Sequence, residues 1–128
     1  SVGMGRIGTL NKPMKEDAFL SFIKNKFNPE SIRHSPLIGK DIKTIAVLGG
    51  SGSFAITDAK QQNADAFITA DLKYHQFYEG EKDLLLIDVG HYESEQFTKK
   101  LIFDYLTKKM PRFAVVLSRS KTNPVNYF

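Results

Sequence analysis

The chain has 128 residues, of which 41% are hydrophobic and 25% are charged, and its formal net charge is +4. This composition is typical of one soluble globular domain, and no apolar run approaches the ~18 residues that cross a bilayer. Cysteine is absent, which excludes a disulfide framework, a thiolate nucleophile and a cysteine-ligated zinc site. We therefore expect a cytoplasmic protein without a membrane partner.

The basic residues are scattered among acidic ones along the chain. Their densest positions are Lys99-Lys100 and Lys108-Lys109. Nucleic-acid-binding domains usually concentrate positive charge on one face. A solvated helix face is the better interpretation of these lysines, and nucleic acid is not an expected partner.

The first part of the chain predicts a strand, a helix and a weak edge strand. "MGRIGTL" is typical of a short strand that ends near Leu10. Apolar residues recur at helical spacing through 15–27, and Asn28-Pro29 ends this predicted helix. "SIRHSPLI" is extended but contains Pro36, which favours a sheet edge or a loop.

From residue 43 onward, predicted strands alternate with predicted helices. Continuous apolar runs such as "KTIAVLGG" are typical of strands that are covered on both faces. The predicted fold class is α/β, with a mixed, mostly parallel sheet, helices on both faces and a single domain over 1–128. The strands are predicted at 43–48, 66–70, 84–89 and 113–118, and the helices at about 53–63, 72–80 and 92–109.

Ligands of open parallel sheets bind beyond the carboxyl ends of the strands, and three such ends carry polar residues. After the strand at 43–48 comes a turn of glycine and serine. Its backbone amides could form an anion-binding pocket at the start of the next helix. The same residues also suit a tight strand-to-helix turn, and they match neither a Walker loop nor a dinucleotide fingerprint. The turn consists of Gly49, Gly50, Ser51, Gly52 and Ser53.

The strand at 66–70 is followed by "TADLKYH". Asp71 and His75 are four positions apart, and one helical turn would place them on the same face. They are therefore candidate catalytic residues. The alternative is that Thr69 or Asp71 caps the following helix and that His75 is an ordinary surface residue.

The strand at 84–89 is followed by "GHYESE", with His91 and Glu95 four positions apart at a predicted helix start. An imidazole and a carboxylate at this spacing suit a divalent metal such as Zn, Mn or Fe. They also suit a general acid/base pair, or a helix start whose N-terminus is complemented by Ser94 or by the carboxylates of Glu93 and Glu95. Two ligands do not complete a site, because catalytic zinc usually takes three from the protein. The other histidines are His34 and His75.

Several segments together resemble a known family. "GMGRIGTL", the glycine-serine turn, "ITADLKYH", "GHYESE" and the terminal "TNPVNYF" are similar to the C-terminal half of the NIF three-like family. Bacterial members of that family are commonly called GTP cyclohydrolase I type 2 homologues. The similarity runs in the same order through nearly the whole chain.

The resemblance implies a dinuclear metal protein whose two related α/β halves face each other across two divalent ions, Zn, Mn or Fe. It implies that His91 and Glu95 are metal ligands and that the other half supplies a His-His pair and an Asp. Asp71 and His75 match polar positions near the cleft, where His75 could transfer a proton. The implied function is hydrolase-like, on a nucleotide or phosphate-bearing small molecule. The alternative is a non-enzymatic metal-binding or regulatory interaction protein.

No His-His pair occurs in the sequence. We therefore expect the chain to be the C-terminal segment of a longer protein, with the missing N-terminal half as the partner that supplies the remaining ligands. The resemblance further implies a homo-oligomer, a hexamer in the full-length protein. Alone, the segment is expected to fold, to expose His91 and Glu95, to bind metal weakly and to be catalytically silent.

Overall fold

The computed structural model describes residues 3–128. The chain has two compact units, of which the first runs through Ser94 and the second is Glu95–Phe128. Two 3-10 helices, Ser53–Ala55 and Tyr74–Gly80, add to the regular elements. The strands are β1 (Arg6–Met14), β2 (Arg33–His34), β3 (Ile42–Ser51), β4 (Ala66–Ala70) and β5 (Leu85–Asp88), and the α-helices are α1 (Glu16–Phe27), α2 (Ile56–Gln61), α3 (His91–Glu95) and α4 (Thr98–Lys109).

The strands form one five-stranded mixed sheet in the order β1-β3-β4-β5-β2. The three central strands are parallel, and the edge strands β1 and β2 pair antiparallel with β3 and β5. The predicted mixed α/β fold is confirmed, with its parallel part at the centre of the sheet. The edge position of β2 agrees with the prediction from Pro36, because proline cannot donate a ladder hydrogen bond.

The central strands separate two apolar cores, because successive residues of a strand point to opposite faces. In β4, Ile68 packs in the cluster that contains Phe19 of α1, whereas Phe67 packs in the cluster that contains Ile56 of α2. Helices therefore cover both faces, as predicted. Every residue of β4 and β5 is buried, which explains their continuous apolar sequences.

Several element boundaries in the first unit differ from prediction. β1 continues to Met14 instead of ending near Leu10, and α1 ends at Phe27 as predicted, with Asn28 in the left-handed conformation at φ 49°. The predicted helix at 53–63 is a 3-10 turn followed by the short α2. The predicted helix at 72–80 is the 3-10 helix Tyr74–Gly80.

The prediction of one continuous helix over 92–109 is wrong. α3 ends at Glu95 and α4 begins at Thr98. The apolar residues at helical spacing start only at Phe97, so the pattern that predicted a helix belongs to α4. α4 ends at Lys109, before Met110-Pro111, as predicted.

The predicted last strand at 113–118 is also wrong, since this segment has no regular secondary structure. A strand needs a neighbour that pairs with its backbone N–H and C=O groups. The second unit contains α4 as its long regular element and provides no such neighbour. Among the helices of residues 3–128, none has both the length and the apolar character needed to cross a membrane.

Candidate functional site

The turns after β3, β4 and β5 meet at the carboxyl edge of the sheet. The Gly50 amide donates to Ser94 Oγ at 2.8 Å, and the Ser51 hydroxyl donates to the Asp71 carboxylate. Asp71 Oδ2 lies 2.6 Å from His91 Nδ1. The predicted clustering of Gly50, Asp71 and His91 is confirmed, because the three parallel strands are neighbours and end on the same side.

The Asp71–His91 contact fixes the protonation pattern of the imidazole. An ionised carboxylate can only accept hydrogen bonds, so Nδ1 of His91 must carry the proton that it donates to Asp71. In the neutral ring this leaves Nε2 as the basic nitrogen. Metal-binding histidines commonly show this arrangement, in which a carboxylate holds the ring nitrogen that does not bind the metal.

Asp71 is held in an unusual backbone conformation and is kept ionised by its neighbours. Its φ is 58°, in the left-handed region that aspartate tolerates better than most residues. Hydrogen bonds from Ser51 and His91 lower the pKa of Asp71 from its ordinary 3.8, against the opposing effect of burial. The positive charges of His91 and Arg33 lower this pKa further. Asp71 is therefore an acceptor throughout the neutral range.

Ser51 is not arranged as a nucleophile. Its hydroxyl and the His91 ring both bind the same oxygen of Asp71. In a Ser-His-Asp triad the histidine lies between the serine and the carboxylate and takes the serine proton. Here the carboxylate lies between serine and histidine, so the arrangement orients His91 and Asp71 and does not activate Ser51.

The glycine-serine turn is tightly packed. Gly49, Gly50 and Ser51 are the last residues of β3, and the Gly50 amide is engaged by Ser94. A Cβ atom on Gly52 would lie 2.1 Å from Thr69 Oγ1, so only glycine fits there. The following α2 has six residues. These contacts describe a close strand-to-helix turn, and anion binding by residues 49–53 stays a prediction.

Asp71 and His75 do not form the predicted pair on one helical turn. The 3-10 helix begins at Tyr74, with Lys73 as its N-cap, so Asp71 lies before it. His75 instead makes an edge-on ring contact with Tyr74, at 5.2 Å between ring centroids. The i, i+4 spacing failed as a guide because Asp71 is in a left-handed turn and not in a helix.

The two predicted metal ligands are exposed, as expected. The His91 side chain is 50% exposed, and Glu95, the first residue of the second unit, is also exposed. When a carboxylate holds Nδ1 of an imidazole, the other ring nitrogen, Nε2, is a suitable ligand atom for Zn, Mn or Fe. Within residues 3–128, no group of three or more His, Asp or Glu side chains is placed to hold a metal ion.

Comparison with known proteins identifies the family. Residues 1–124 match the sequence family described as Duf34/NIF3 (NGG1p interacting factor 3). The chain belongs to the DUF34/NIF3 family. The resemblance based on the glycine-serine turn, "ITADLKYH" and "GHYESE" is therefore confirmed.

Curated relatives of this DUF34/NIF3 chain are longer than it is. A "GTP cyclohydrolase 1 type 2 homolog" of Staphylococcus epidermidis is 33% identical over 129 residues, which cover 98% of this chain and 35% of the relative. A protein of the same name from Campylobacter jejuni is 38% identical over 116 residues, covering 90% of this chain and 46% of the relative. The chain thus spans less than half the length of these relatives.

Solved structures that are similar to this chain confirm the fold. A crystal structure of a Staphylococcus aureus protein superposes with a TM-score of 0.83 at 31% identity, covering 98% of this chain and 42% of that one. A Bacillus cereus protein described as related to NIF3 superposes with a TM-score of 0.80 at 26% identity, covering 98% of this chain and 36% of that one. The fold of this chain is therefore the DUF34/NIF3 fold.

Sequence reasoning did not assign to the candidate site three polar residues that support it. The Ser94 hydroxyl accepts a hydrogen bond from the Gly50 amide and donates one to the His91 carbonyl, each at 2.8 Å. Asp88 and Arg33 form a partly buried ion pair beside it. Asp88 could have been noticed, because it is a carboxylate at the end of an otherwise apolar strand. Arg33 gave no local signal, since it lies 55 positions from its partner.

Proposed function

We propose that this chain provides part of a divalent-metal centre in which His91 binds the metal through Nε2. The observation that supports this most directly is the 2.6 Å contact between His91 Nδ1 and Asp71 Oδ2. It sets the tautomer and the direction of the ring before any ion arrives. Glu95 is proposed as a second ligand on the family resemblance.

The proposed reaction is hydrolysis of a nucleotide or phosphate-bearing small molecule. The names of the curated relatives, which refer to GTP cyclohydrolase, support a nucleotide. A bound divalent metal would supply Lewis-acid polarisation of a phosphoryl or carbonyl oxygen. The metal is proposed as Zn, Mn or Fe, two ions per full-length subunit, with further ligands from a second half and a hexamer as the assembly.

The chain's own residues would orient the His91 ring and exchange protons with the substrate. Asp71 holds His91 and is itself held by Ser51. Asp71 therefore acts through His91, which changes its role from the predicted catalytic residue to a positioning one. His75 is exposed and remains the candidate for proton transfer, since an accessible imidazole exchanges protons near neutral pH.

A second candidate is a non-enzymatic metal-binding or regulatory interaction protein. Its support is the family description, which names an interacting factor. The incomplete ligand set within residues 3–128 is compatible with it. The two candidates differ in turnover, because only the hydrolase converts a substrate.

The test combines metal titration with a turnover assay. Titration of the 128-residue chain with Zn and Mn is expected to show binding that His91→Ala abolishes. His34→Ala is the matched control, since His34 is an exposed histidine of β2 whose Nδ1 contacts the Ser35 carbonyl at 2.7 Å. Equal binding by the parent chain and His91→Ala contradicts the proposal.

Turnover is measured with GTP and phosphoesters on the protein at its full natural length, loaded with Mn or Zn. His75→Ala is expected to keep metal binding and to lose about 10²–10⁴-fold in rate, the usual contribution of a general acid or base. Metal binding without turnover of any of these substrates would favour the interaction protein.

A further inference from the structure

The carboxylate of Asp88, at the end of β5, contacts both turns that carry the candidate site. Its side chain is only 4% exposed. Oδ2 accepts a hydrogen bond from the Leu72 amide at 3.0 Å, and Oδ1 accepts one from the Gly90 amide at 3.0 Å. Leu72 directly follows Asp71, and Gly90 directly precedes His91. One buried carboxylate therefore bridges the turn of Asp71 and the turn of His91.

The turn of Asp71 has a backbone conformation that needs such support, because φ is 58° at Asp71, in a region that residues with a Cβ rarely adopt. The turn of His91 contains Gly90 at φ 92°, a conformation that glycine adopts without strain. A Cβ atom on Gly90 would lie 2.2 Å from Glu93 Oε2. Rare backbone conformations persist when the surrounding contacts determine them. Here the hydrogen bonds from the Leu72 and Gly90 amides to Asp88 provide those contacts.

Arg33 of the edge strand completes this support. Its guanidinium pairs with Asp88, and Nη2 also donates to the Leu72 carbonyl at 3.0 Å. Leu72 is therefore held at both of its backbone polar groups, by Asp88 at the amide and by Arg33 at the carbonyl. The ion pair also offsets the free-energy cost of burying the Asp88 charge.

We propose that Asp88, together with Arg33, is a positioning unit that fixes the Asp71 and His91 turns so that His91 keeps a single tautomer. Asp88 contacts neither of the two side chains directly and acts through the backbone of Leu72 and Gly90. The consequence for metal affinity rests on the proposed function. The effect on the His91 tautomer is a property of the metal-free chain and does not depend on it.

The test is the variant Asp88→Asn in the metal-free chain. The asparagine NH₂ group cannot accept a hydrogen bond, so one of the two amide contacts is lost. Ring ¹⁵N chemical shifts of His91, recorded near pH 8.5 where histidine is ordinarily neutral, report the tautomer. The parent chain is expected to show protonated Nδ1, and Asp88→Asn a shift toward protonated Nε2.

Asp65→Asn is the matched control, because Asp65 makes similar contacts at the opposite, amino end of the parallel strands. Asp65 Oδ2 accepts the Lys43 and Thr44 amides at 2.9 and 2.7 Å, and Oδ1 pairs with Lys40 at 3.1 Å. This variant is expected to lose stability and to leave the His91 shifts unchanged. Unchanged shifts in a folded Asp88→Asn chain, or equal changes in both variants, overturn the proposal.

Arg33→Gln provides a second variant in case Asp88→Asn does not fold. The Arg33 side chain is 58% exposed, so its loss is better tolerated. The Arg33→Gln variant is expected to change the ring ¹⁵N chemical shifts of His91 in the same direction as Asp88→Asn but by a smaller amount. Unchanged shifts contradict the proposal.

A zinc titration separates this proposal from the proposed function. A folded Asp88→Asn chain is expected to lose about tenfold in zinc affinity, the lower end of the effect of removing a partner of a metal ligand. If His91→Ala leaves the zinc binding of the chain unchanged while Asp88→Asn still changes the tautomer, the metal proposal fails and the positioning role stands.

Discussion

At the scale of single residues, the candidate site depends on the hydrogen-bond partners of the Asp71 carboxylate. Asp71 Oδ2 accepts from both Ser51 and His91, and this shared oxygen keeps the carboxylate ionised and the imidazole oriented. Lysine or arginine in place of these donors would also lower the pKa of Asp71, but would not present a metal-binding nitrogen. The Asp71–His91 pair therefore has the arrangement that the proposed metal coordination through Nε2 requires.

This pair predicts a small loss of stability in acid. The pKa of Asp71 is lower in the folded chain than its ordinary 3.8. Its contribution to stability is therefore fully present above pH 3.8 and is lost as the pH falls through the lower, folded-state pKa. Because the side chain is 47% exposed, solvent screening limits this contribution to less than about 1 kcal/mol.

Urea unfolding of the parent chain and of Asp71→Asn between pH 6 and pH 2 measures this effect. The difference in unfolding free energy between the two chains is expected to shrink as the pH falls below 3.8. The comparison with Asp71→Asn is needed because the pKa of Asp65 is also lowered. Burial raises the pKa of Asp65, but hydrogen bonds from Thr44, Lys43 and Lys40 and the charge of Lys40 together outweigh it. A pH-independent difference contradicts the assignment.

At the scale of elements, α1 is attached to the sheet by a narrow apolar stripe. Phe19 is fully buried and Ile23 is 3% exposed, whereas Phe22 is 36% exposed. We expect Phe19→Ala to cost about 3–5 kcal/mol of stability, because a large side chain is removed from a packed core. Phe22→Ala is the control and should cost much less.

The urea midpoint of each variant measures this difference, provided that the slope of the transition is unchanged. Equal losses for Phe19→Ala and Phe22→Ala would show that α1 is not held by the face that contains Phe19. The unfolding free energy of a typical domain is about 5–15 kcal/mol. If Phe19→Ala removes nearly all of it, the variant will be unfolded without urea.

At the scale of the whole molecule, the chain covers only part of its relatives, 35% of the Staphylococcus epidermidis protein. Residues 3–128 contain no cluster of three metal-ligating side chains. With His91 and Glu95 as its only proposed ligands, a bound ion would take its remaining ligands from water. Four-ligand structural zinc sites have binding free energies of about 10–16 kcal/mol, so a site with half the protein ligands should bind much more weakly.

We therefore predict that this chain alone binds Zn or Mn with a dissociation constant weaker than about 1 μM, which corresponds to ~8 kcal/mol. Isothermal titration calorimetry at several protein concentrations is the measurement. Nanomolar binding of one ion by a monomeric chain would show that a complete site exists and that its ligands are wrongly assigned. Nanomolar binding that appears only in an oligomer would indicate that another copy supplies ligands.

The sequence by itself determined the family, the α/β class and the clustering of three polar turns at one edge of the sheet. Continuous apolar runs marked β4 and β5 as buried strands, because a strand covered on both faces needs apolar residues at every position. Since the carboxyl ends of adjacent parallel strands meet at one edge, the polar residues that follow them could be expected to cluster. Gly50, Asp71 and His91 do so.

Only the tertiary structure decided the partners within that cluster. Local spacing paired Asp71 with His75, but the neighbouring strands bring His91 to Asp71 across 20 positions, and bring Arg33 to Asp88 across 55. For the same reason the β-rich segment at 113–118 is not a strand, since its own unit provides no strand to pair with it. Helical and strand periodicity are local properties of a sequence, whereas hydrogen-bond partners depend on which strands become neighbours.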